Sequence, residues 1–284
     1  MSPLYIVLIV ISGVTLLLLM VLKLRLTAFI ALLITSIVVG VMAGMPLDKI
    51  LQSIQEGMGS TLGFVATVVG LGAIFGQMLE SSGGASSLAH YLLKKFGSNN
   101  ASWALLLSGF IVGIPVFLDV GFIILIPIVY ALTRDTKRSV LYYAIPLLAG
   151  LAVTHAMVPP TPGPTAVSDI LGVDLGWVVM MGLLVGIPTA AIAGPLFGRY
   201  IAKRLYVPVP EIFQDMEKSD EKDQKILPPF GIIAALVMIP LLLILMGTFI
   251  KLGVDKGALA NTLFTRVLIF TGHPFTALII ATLL

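Results

Sequence analysis

Long apolar runs decide what this chain can become. Residues 3–22, 27–44, 61–79, 101–132, 140–171, 175–197, 230–250 and 262–284 are almost free of charge. A helix needs about 20 mostly apolar residues to cross the hydrocarbon core of a bilayer, and these runs reach or approach that length. Composition agrees: 11% of the 284 residues are charged, against about 25% in a soluble domain, which excludes a water-soluble enzyme. The fold class is therefore read as an all-α polytopic membrane protein. The first run has no basic start and no small-residue cleavage site after it, so it reads as a span and not as a cleaved leader.

The residue inventory excludes several chemistries. Cysteine is absent, which removes disulfides, thiol nucleophiles and Cys-ligated metal. His90, His155 and His273 are far apart in sequence. No G-x-x-x-x-G-K-[ST] loop occurs, so the chain carries no nucleotide-driven motor. One deep aspartate and one histidine are thin support for an intramembrane enzyme. The chain is read as a non-enzyme without cofactor or metal. Its net charge of +3 comes from short basic clusters between apolar runs, the pattern of loops beside anionic lipid and not of nucleic-acid binding.

Those clusters set an expected topology. Lys23 and Arg25 place the first loop in the cytoplasm and the N-terminus outside. Residues 45–60 suit an external loop, and Lys94 and Lys95 bring the chain back inside. Residues 101–132 are too few for two crossings, and a single one would strand Arg134, Lys137 and Arg138 outside. A re-entrant hairpin entering and leaving on the cytoplasmic side keeps these residues inside, together with Arg199, Lys203, Arg204, Lys218, Lys222 and Lys225. Residues 205–229, with Pro208, Pro210 and mixed charge, read as a solvated cytoplasmic linker.

The expected domains are then a first repeat over 1–204, with the hairpin at 101–132 and a broken helix at 140–171. The linker over 205–229 follows, then the start of a second repeat over 230–284. The pattern F-x-A-L-[LI]-I occurs at 29–34 and again at 275–280. Each copy lies in the second span of its half, and the topology runs the two in opposite directions, as an inverted repeat requires. On that reading the second repeat stops after two spans, and the expectation is a truncated sequence.

Backbone that leaves the helix at membrane depth must be buried in protein or line a wet cavity. Two segments meet this condition. The first is Gly113-Ile-Pro-Val-Phe-Leu-Asp-Val-Gly121 at the hairpin tip, where Pro115 and Gly121 shape the turn. Asp119 is the only acid deep inside an apolar run, and such an acid is costly unless paired, hydrated or protonated. It reads as a proton or cation site, and capping of the second hairpin helix is a compatible alternative.

The second segment is Thr154-His-Ala-Met-Val-Pro-Pro-Thr-Pro-Gly-Pro-Thr165. Pro159, Pro160, Pro162 and Pro164 rule out continuous helix. A helix resuming near Thr165 would aim its N–H groups at the break, a geometry suited to a carboxylate. Thr161, Thr165 and Ser168 offer hydroxyl donors, and Gly163 allows close backbone approach. His155 either takes up a proton near neutral pH or stays a neutral partner between helices. His90 reads as surface and His273 as a helix start. Gly57, Gly59, Gly63, Gly70, Gly72 and Gly76 read as helix-packing glycines and not as a nucleotide loop.

These two segments, with Leu171-Gly-Val-Asp-Leu-Gly176 beyond them, resemble the signature segments of the gluconate:proton symporter (gluconate permease) family, along essentially the whole chain. The resemblance implies a secondary transporter with two inverted repeats, re-entrant hairpins and broken helices in the bacterial cytoplasmic (inner) membrane. It implies proton-coupled import of gluconate or a related acid such as idonate, fructuronate, glycerate or D-serine. The family's usual length also implies that part of the architecture lies outside this chain. Taken together, the expected substrate contacts are Thr161, Gly163, Thr165 and Ser168, and the expected coupling residues are Asp119 and His155. The partners are then a small carboxylate, protons and lipid, with a homo-oligomer compatible. Sodium coupling is the alternative within transport, and a non-transporting membrane subunit is the alternative outside it.

Overall fold

In the computed structural model, residues 2–210 and 227–284 are described. They are helical throughout, with no strand among them. Helices α1 (Pro3–Leu18), α2 (Ala28–Met42), α3 (Leu47–Ser81), α4 (Gly84–Phe96), α5 (Ala101–Val112), α6 (Leu118–Thr136) and α7 (Leu141–Met157) come first. They are followed by α8 (Pro162–Leu171), α9 (Leu175–Ala191), α10 (Phe197–Ala202), α11 (Phe230–Asp255), α12 (Leu263–Thr271) and α13 (Pro274–Leu283). Among the described residues, five helices are long and apolar enough to cross a membrane, or up to six if the bent pair α12–α13 is one span. The chain is an all-α polytopic membrane protein.

Two compact units divide at Phe64–Val65, within α3. In the first, α1 starts at Ser2, whose hydroxyl accepts from the Tyr5 N–H, with Pro3 in the first turn where its missing donor costs nothing. The Tyr5 hydroxyl donates to the Met42 carbonyl and pins α1 to the end of α2. Most of the α1 side chains are apolar and exposed, a surface matched to hydrocarbon. The reading of 45–60 as a loop is corrected here, because α3 begins at Leu47. Polar residues such as Asp48, Gln52 and Glu56 hid the helix from a search for apolar runs. They lie on exposed turns and bond along the helix, as Gln52 does to Glu56.

The second unit is organised by α7. Tyr143, Leu147 and Leu151 of this helix are fully buried. Leu106 and Phe110 of α5 lie beside Gly150 and Thr154 of α7, so α5 and α7 run in the same direction. Gly121, at the start of α6, faces Leu151, and Thr136, at its end, accepts from the Tyr143 hydroxyl. So α6 runs antiparallel to α7, and α5 and α6 form a helical hairpin. With 12 residues, α5 is about 18 Å long, well short of a roughly 30 Å hydrocarbon core.

Without an aqueous driving force between helices, such a bundle is held by close packing and interhelical hydrogen bonds. Gly109 and Gly150 provide the packing. A Cβ on Gly150 would stand 2.3 Å from the Leu106 carbonyl oxygen, and one on Gly109 would stand 2.5 Å from that of Leu147. The Thr154 hydroxyl supplies a hydrogen bond, lying 3.0 Å from the Phe110 carbonyl and 2.9 Å from that of Gly150.

A polar node joins α9 to α11. Asp174 caps α9 by accepting from the Gly176 N–H at 3.0 Å. The same carboxylate oxygen accepts from the Thr248 hydroxyl at 2.5 Å, and the other lies 3.5 Å from Lys251 Nζ. Gly172, with φ +62°, ends α8 and turns the chain toward this cap. At the other end of the molecule, α9 passes into α10 through a π-helical turn, Ile192–Leu196, where Pro195 has no N–H to give.

The expected linker has two pinned ends. Val140 N–H donates to the Val207 carbonyl, and Ser139 Oγ accepts from Val207 N–H. Near the other end, the Ser87 hydroxyl donates to the Pro228 carbonyl. The middle of the expected linker, including Lys218, Lys222 and Lys225, lies outside the described residues. The last apolar run is also not one straight helix: α12 and α13 meet at 68°. His273 stands at that bend as the cap of α13, its Nδ1 accepting from the Phe275 N–H, as expected of a helix start.

Two outcomes follow from this packing. Gly150→Ala will destabilise the detergent-solubilised protein by about 1–3 kcal/mol, read as a lower melting temperature. Gly163→Ala, with no neighbour within 4 Å of its added Cβ, will leave that temperature unchanged. In the polar node, Thr248→Val will cost about 1 kcal/mol. Lys251→Met will cost little, because the lysine side chain is 55% exposed.

Candidate substrate and coupling site

Two interruptions of helix face each other inside the second unit. The hairpin turn is shorter than the sequence suggested. It covers residues 113–117, and α6 already begins at Leu118. Pro115 has no donor and disfavours helix in the residue before it, so α5 closes with tight bonds from Gly113 N–H to Gly109 and from Ile114 N–H to Ile111. Gly121 is therefore helical and buried, and a Cβ on it would press on Leu151.

The second interruption is also narrower than expected. It covers residues 158–161, with a cis Pro159–Pro160 bond, and α8 starts at Pro162 instead of near Thr165. The physical reason is that the first-turn N–H groups of a helix have no partner anyway, so Pro162 and Pro164 fit there. Helices α7 and α8 together make one apolar span, Leu141–Leu171.

The two interruptions touch. Phe117 and His155 place their ring centroids 5.9 Å apart. Residues Ile114 to Phe117 share a small cavity with Pro160, Thr161 and Pro162. Its free volume is about 10 Å³, room for about one water and too small for a sugar acid.

Both helix N-termini at this junction lack side-chain caps. Phe117 precedes α6 and Thr161 precedes α8, and neither side chain bonds into its helix. Because α6 is antiparallel to α7 and α8 continues it, the positive ends of two helix dipoles open toward one junction.

The expected site residues divide by what their polar atoms do. The Thr165 side chain is completely buried, and its hydroxyl has no hydrogen-bond partner among the described residues. His155 is half-buried, and its Nδ1 likewise has none. A buried polar group left unpaired costs about 1–3 kcal/mol, so these two atoms are the ones with bonds to gain. Thr161 is buried, and its hydroxyl donates to the Val158 carbonyl at 2.8 Å. Ser168 donates to the Val173 carbonyl at 2.8 Å and holds the end of α8. Gly163 is exposed, with open space where a side chain would go. Asp119 occupies the first turn of α6, exposed at the hairpin tip and not acting as its cap.

A third element of the junction was not assigned to it from sequence. Gly72 and Gly76, one turn apart on α3, rest directly on the two interruptions. A Cβ on Gly76 would stand 2.1 Å from the Pro115 carbonyl oxygen, and one on Gly72 would stand 3.0 Å from Pro160 Cγ. The spacing of four was visible in the sequence, but its partners were not. Gly57, Gly59 and Gly70 have no such neighbour within 4 Å. A larger cavity of about 610 Å³ lies along Gly163, Val167, Trp177 and Met181. Its size would suit a sugar acid, but its walls are almost wholly apolar. No cluster of three or more potential metal ligands occurs among the described residues.

The family model described as GntP family permease matches residues 4–284. The gluconate permease of Pseudomonas aeruginosa is 40% identical over 90% of this chain and 56% of its own length. The high-affinity gluconate transporter of Escherichia coli K12 is 38% identical over 97% of this chain and 61% of its own. The Gnt-II system L-idonate transporter of the same organism is 34% identical over 96% and 60%. The chain thus spans about three fifths of the length of these relatives, all of them named as permeases or transporters and not as enzymes. No solved structure matches. By the family model and by these relatives, this chain belongs to the GntP permease family.

Proposed function

We propose that the chain takes part in proton-coupled uptake of gluconate or a closely related sugar acid across the bacterial cytoplasmic membrane, with the α5–α6 hairpin re-entering from the cytoplasm and the N-terminus outside. The observation that carries the chemistry is the meeting of two uncapped helix N-termini, α6 and α8, beside two unpaired buried polar atoms, Thr165 Oγ1 and His155 Nδ1. Two N-terminal dipoles attract a carboxylate, and a hydroxyl with a free proton completes its binding. The relatives named for gluconate and L-idonate support a sugar acid as the substrate class.

In this reading the Thr165 hydroxyl and the Gly163 N–H hold the carboxylate, because Pro162 and Pro164 have no N–H and the Thr165 N–H donates to the Thr161 carbonyl. Thr161 accepts from a sugar hydroxyl and Gly163 admits the ligand. Ser168 supports the end of α8. Asp119 and His155 carry the proton. Asp119 sits at the positive end of α6, beside the path, and it is exposed, so its carboxylate meets water or a ligand rather than a buried partner. The junction as folded admits no sugar acid, so transport requires the hairpin tip and the break to separate. The close approach of Gly72 and Gly76 of α3 to Pro160 and Pro115 is the packing that this separation would have to break.

The test is uptake of labelled gluconate into proteoliposomes under an imposed pH gradient, by this chain alone and by this chain joined to the remaining length of its relatives. Saturable uptake abolished by a protonophore and indifferent to sodium replacement is expected. Uptake that needs sodium and ignores the pH gradient would replace the proton with Na⁺. Asp119→Asn will abolish gradient-driven accumulation while leaving downhill exchange. Full accumulation by that variant would end its coupling role.

Thr165→Val should have a distinctive signature. Removing an unpaired buried hydroxyl leaves stability equal or higher, while the lost ligand bond weakens gluconate binding by roughly 5- to 100-fold. A fall in melting temperature with unchanged gluconate affinity would contradict the assignment.

A further inference from the structure

The opposite end of the hairpin carries a second site. Helices α6 and α10 finish there, and α5 and α7 begin there. A cavity of about 770 Å³ lies between these helix ends, walled by Lys137, Arg138, Arg199 and Lys203, with Asn99 and Asn100 on its rim. Among the described residues, four cations line it and no acidic residue does. Lys137, Arg138 and Lys203 are exposed and Arg199 is half-buried, and the four like charges sum to a positive field that an anion would neutralise.

The walls are fixed, which distinguishes this cavity from a loose basic surface. The Ser139 hydroxyl donates to the Leu205 carbonyl at 3.1 Å and accepts from Val207 N–H at 3.0 Å, tying the start of α7 to the segment after α10. Lys137 is held in the left-handed region at φ +54°, a conformation unfavourable for a residue with a side chain. The Arg138 guanidinium lies over the Tyr142 ring, 4.6 Å from its centroid. That contact orients it and leaves its N–H groups for an acceptor. Arg199 Nε is buried and has no hydrogen-bond partner among the described residues. Asn100, which precedes α5, makes no side-chain cap to its helix.

We propose that this cavity is a binding site for a phosphate-bearing anion. A phosphate offers several strong acceptor oxygens and more than one negative charge. It thereby answers two arginine forks, two ammonium groups and an uncommitted amide together, where a single carboxylate leaves most of them unpaired. Two sources of that chemistry fit the surroundings. One is the headgroup of an anionic phospholipid, whose acyl chains would lie on exposed apolar side chains of the same helix, α10, such as Phe197. The other is a soluble phosphate or diphosphate. The site is separate from the hairpin tip, so it stands whether or not Asp119 and Thr165 act as proposed above.

The experiment uses the full chain, purified in detergent and stripped of lipid. Native mass spectrometry with cardiolipin, phosphatidylglycerol or phosphatidylcholine tests the lipid arm. Thermal shift with pyrophosphate, inorganic phosphate or gluconate at constant ionic strength tests the soluble arm. Preferential retention of cardiolipin identifies a headgroup site, and stabilisation by pyrophosphate without lipid identifies a soluble ligand.

In either case, Arg199→Gln with Lys203→Gln should weaken binding by about tenfold or more, and Arg199→Lys with Lys203→Arg should restore part of it. Lys94→Gln with Lys95→Gln, a basic pair outside the cavity, should change nothing. If the first double variant does not fold, Arg138→Gln with Lys203→Gln takes its place. Equal binding by wild type and the cavity variant, stabilisation by gluconate as strong as by pyrophosphate, or no retention of any phosphate-bearing probe overturns the proposal.

Discussion

Everything in the second unit answers one constraint. A backbone amide in hydrocarbon has no water to bond to, and this chain gives up helix between apolar helices at residues 113–117 and 158–161. Each interruption is covered by protein. Gly76 of α3 lies against the Pro115 carbonyl, Gly72 lies against Pro160, and Gly182 of α9 lies against the Met157 carbonyl. The glycines are there because only backbone-to-backbone approach seals a proline-bearing turn this closely. The α5–α7 crossing at Gly109 and Gly150, with Thr154 bonded across it, holds the hairpin at the height where its tip meets the break.

Apolar length alone located much of this. The first span, the span after the linker and the proline-marked break all fall where the runs of hydrophobic residues place them. The turn between α5 and α6 falls inside the expected hairpin run over 101–132; the expected re-entry from the cytoplasm rests on the charges of Arg134, Lys137 and Arg138 alone. The errors have a common origin in local rules applied without neighbours. Residues 45–60 read as a loop when polarity is counted and periodicity is not, and α3 begins at Leu47. Pro162 and Pro164 were read as part of the break because proline is hostile to a helix interior, yet both sit in a first turn. Gly121 was read as a turn residue and is a packing residue beneath Leu151.

The site was legible by residue type and illegible by commitment. Thr161, Thr165 and Ser168 look equivalent in sequence, each a hydroxyl near a break. In the fold, Thr161 and Ser168 have given their protons to nearby carbonyls, and Thr165 has not. No spacing rule separates them, because the difference depends on where Val158 and Val173 present their oxygens. The same holds for Gly72 and Gly76 against Gly57, Gly59 and Gly70: one face of α3 meets the two interruptions, and sequence does not say which.

The closure of the junction and the rigidity around it narrow what transport would have to move. Helices α5 and α7 share backbone contact and a threonine bond, so neither shifts without the other. The start of α9 is tied to α11 through Asp174, Thr248 and Lys251. The third contact at the junction is the one where Gly72 and Gly76 of α3 meet Pro160 and Pro115. Such a contact excludes water when closed, and its close backbone approach is the packing that an opening there would have to give up. An opening there would expose two helix N-termini, Thr165 and His155 at once, so binding of an acid and access of a proton would depend on one motion.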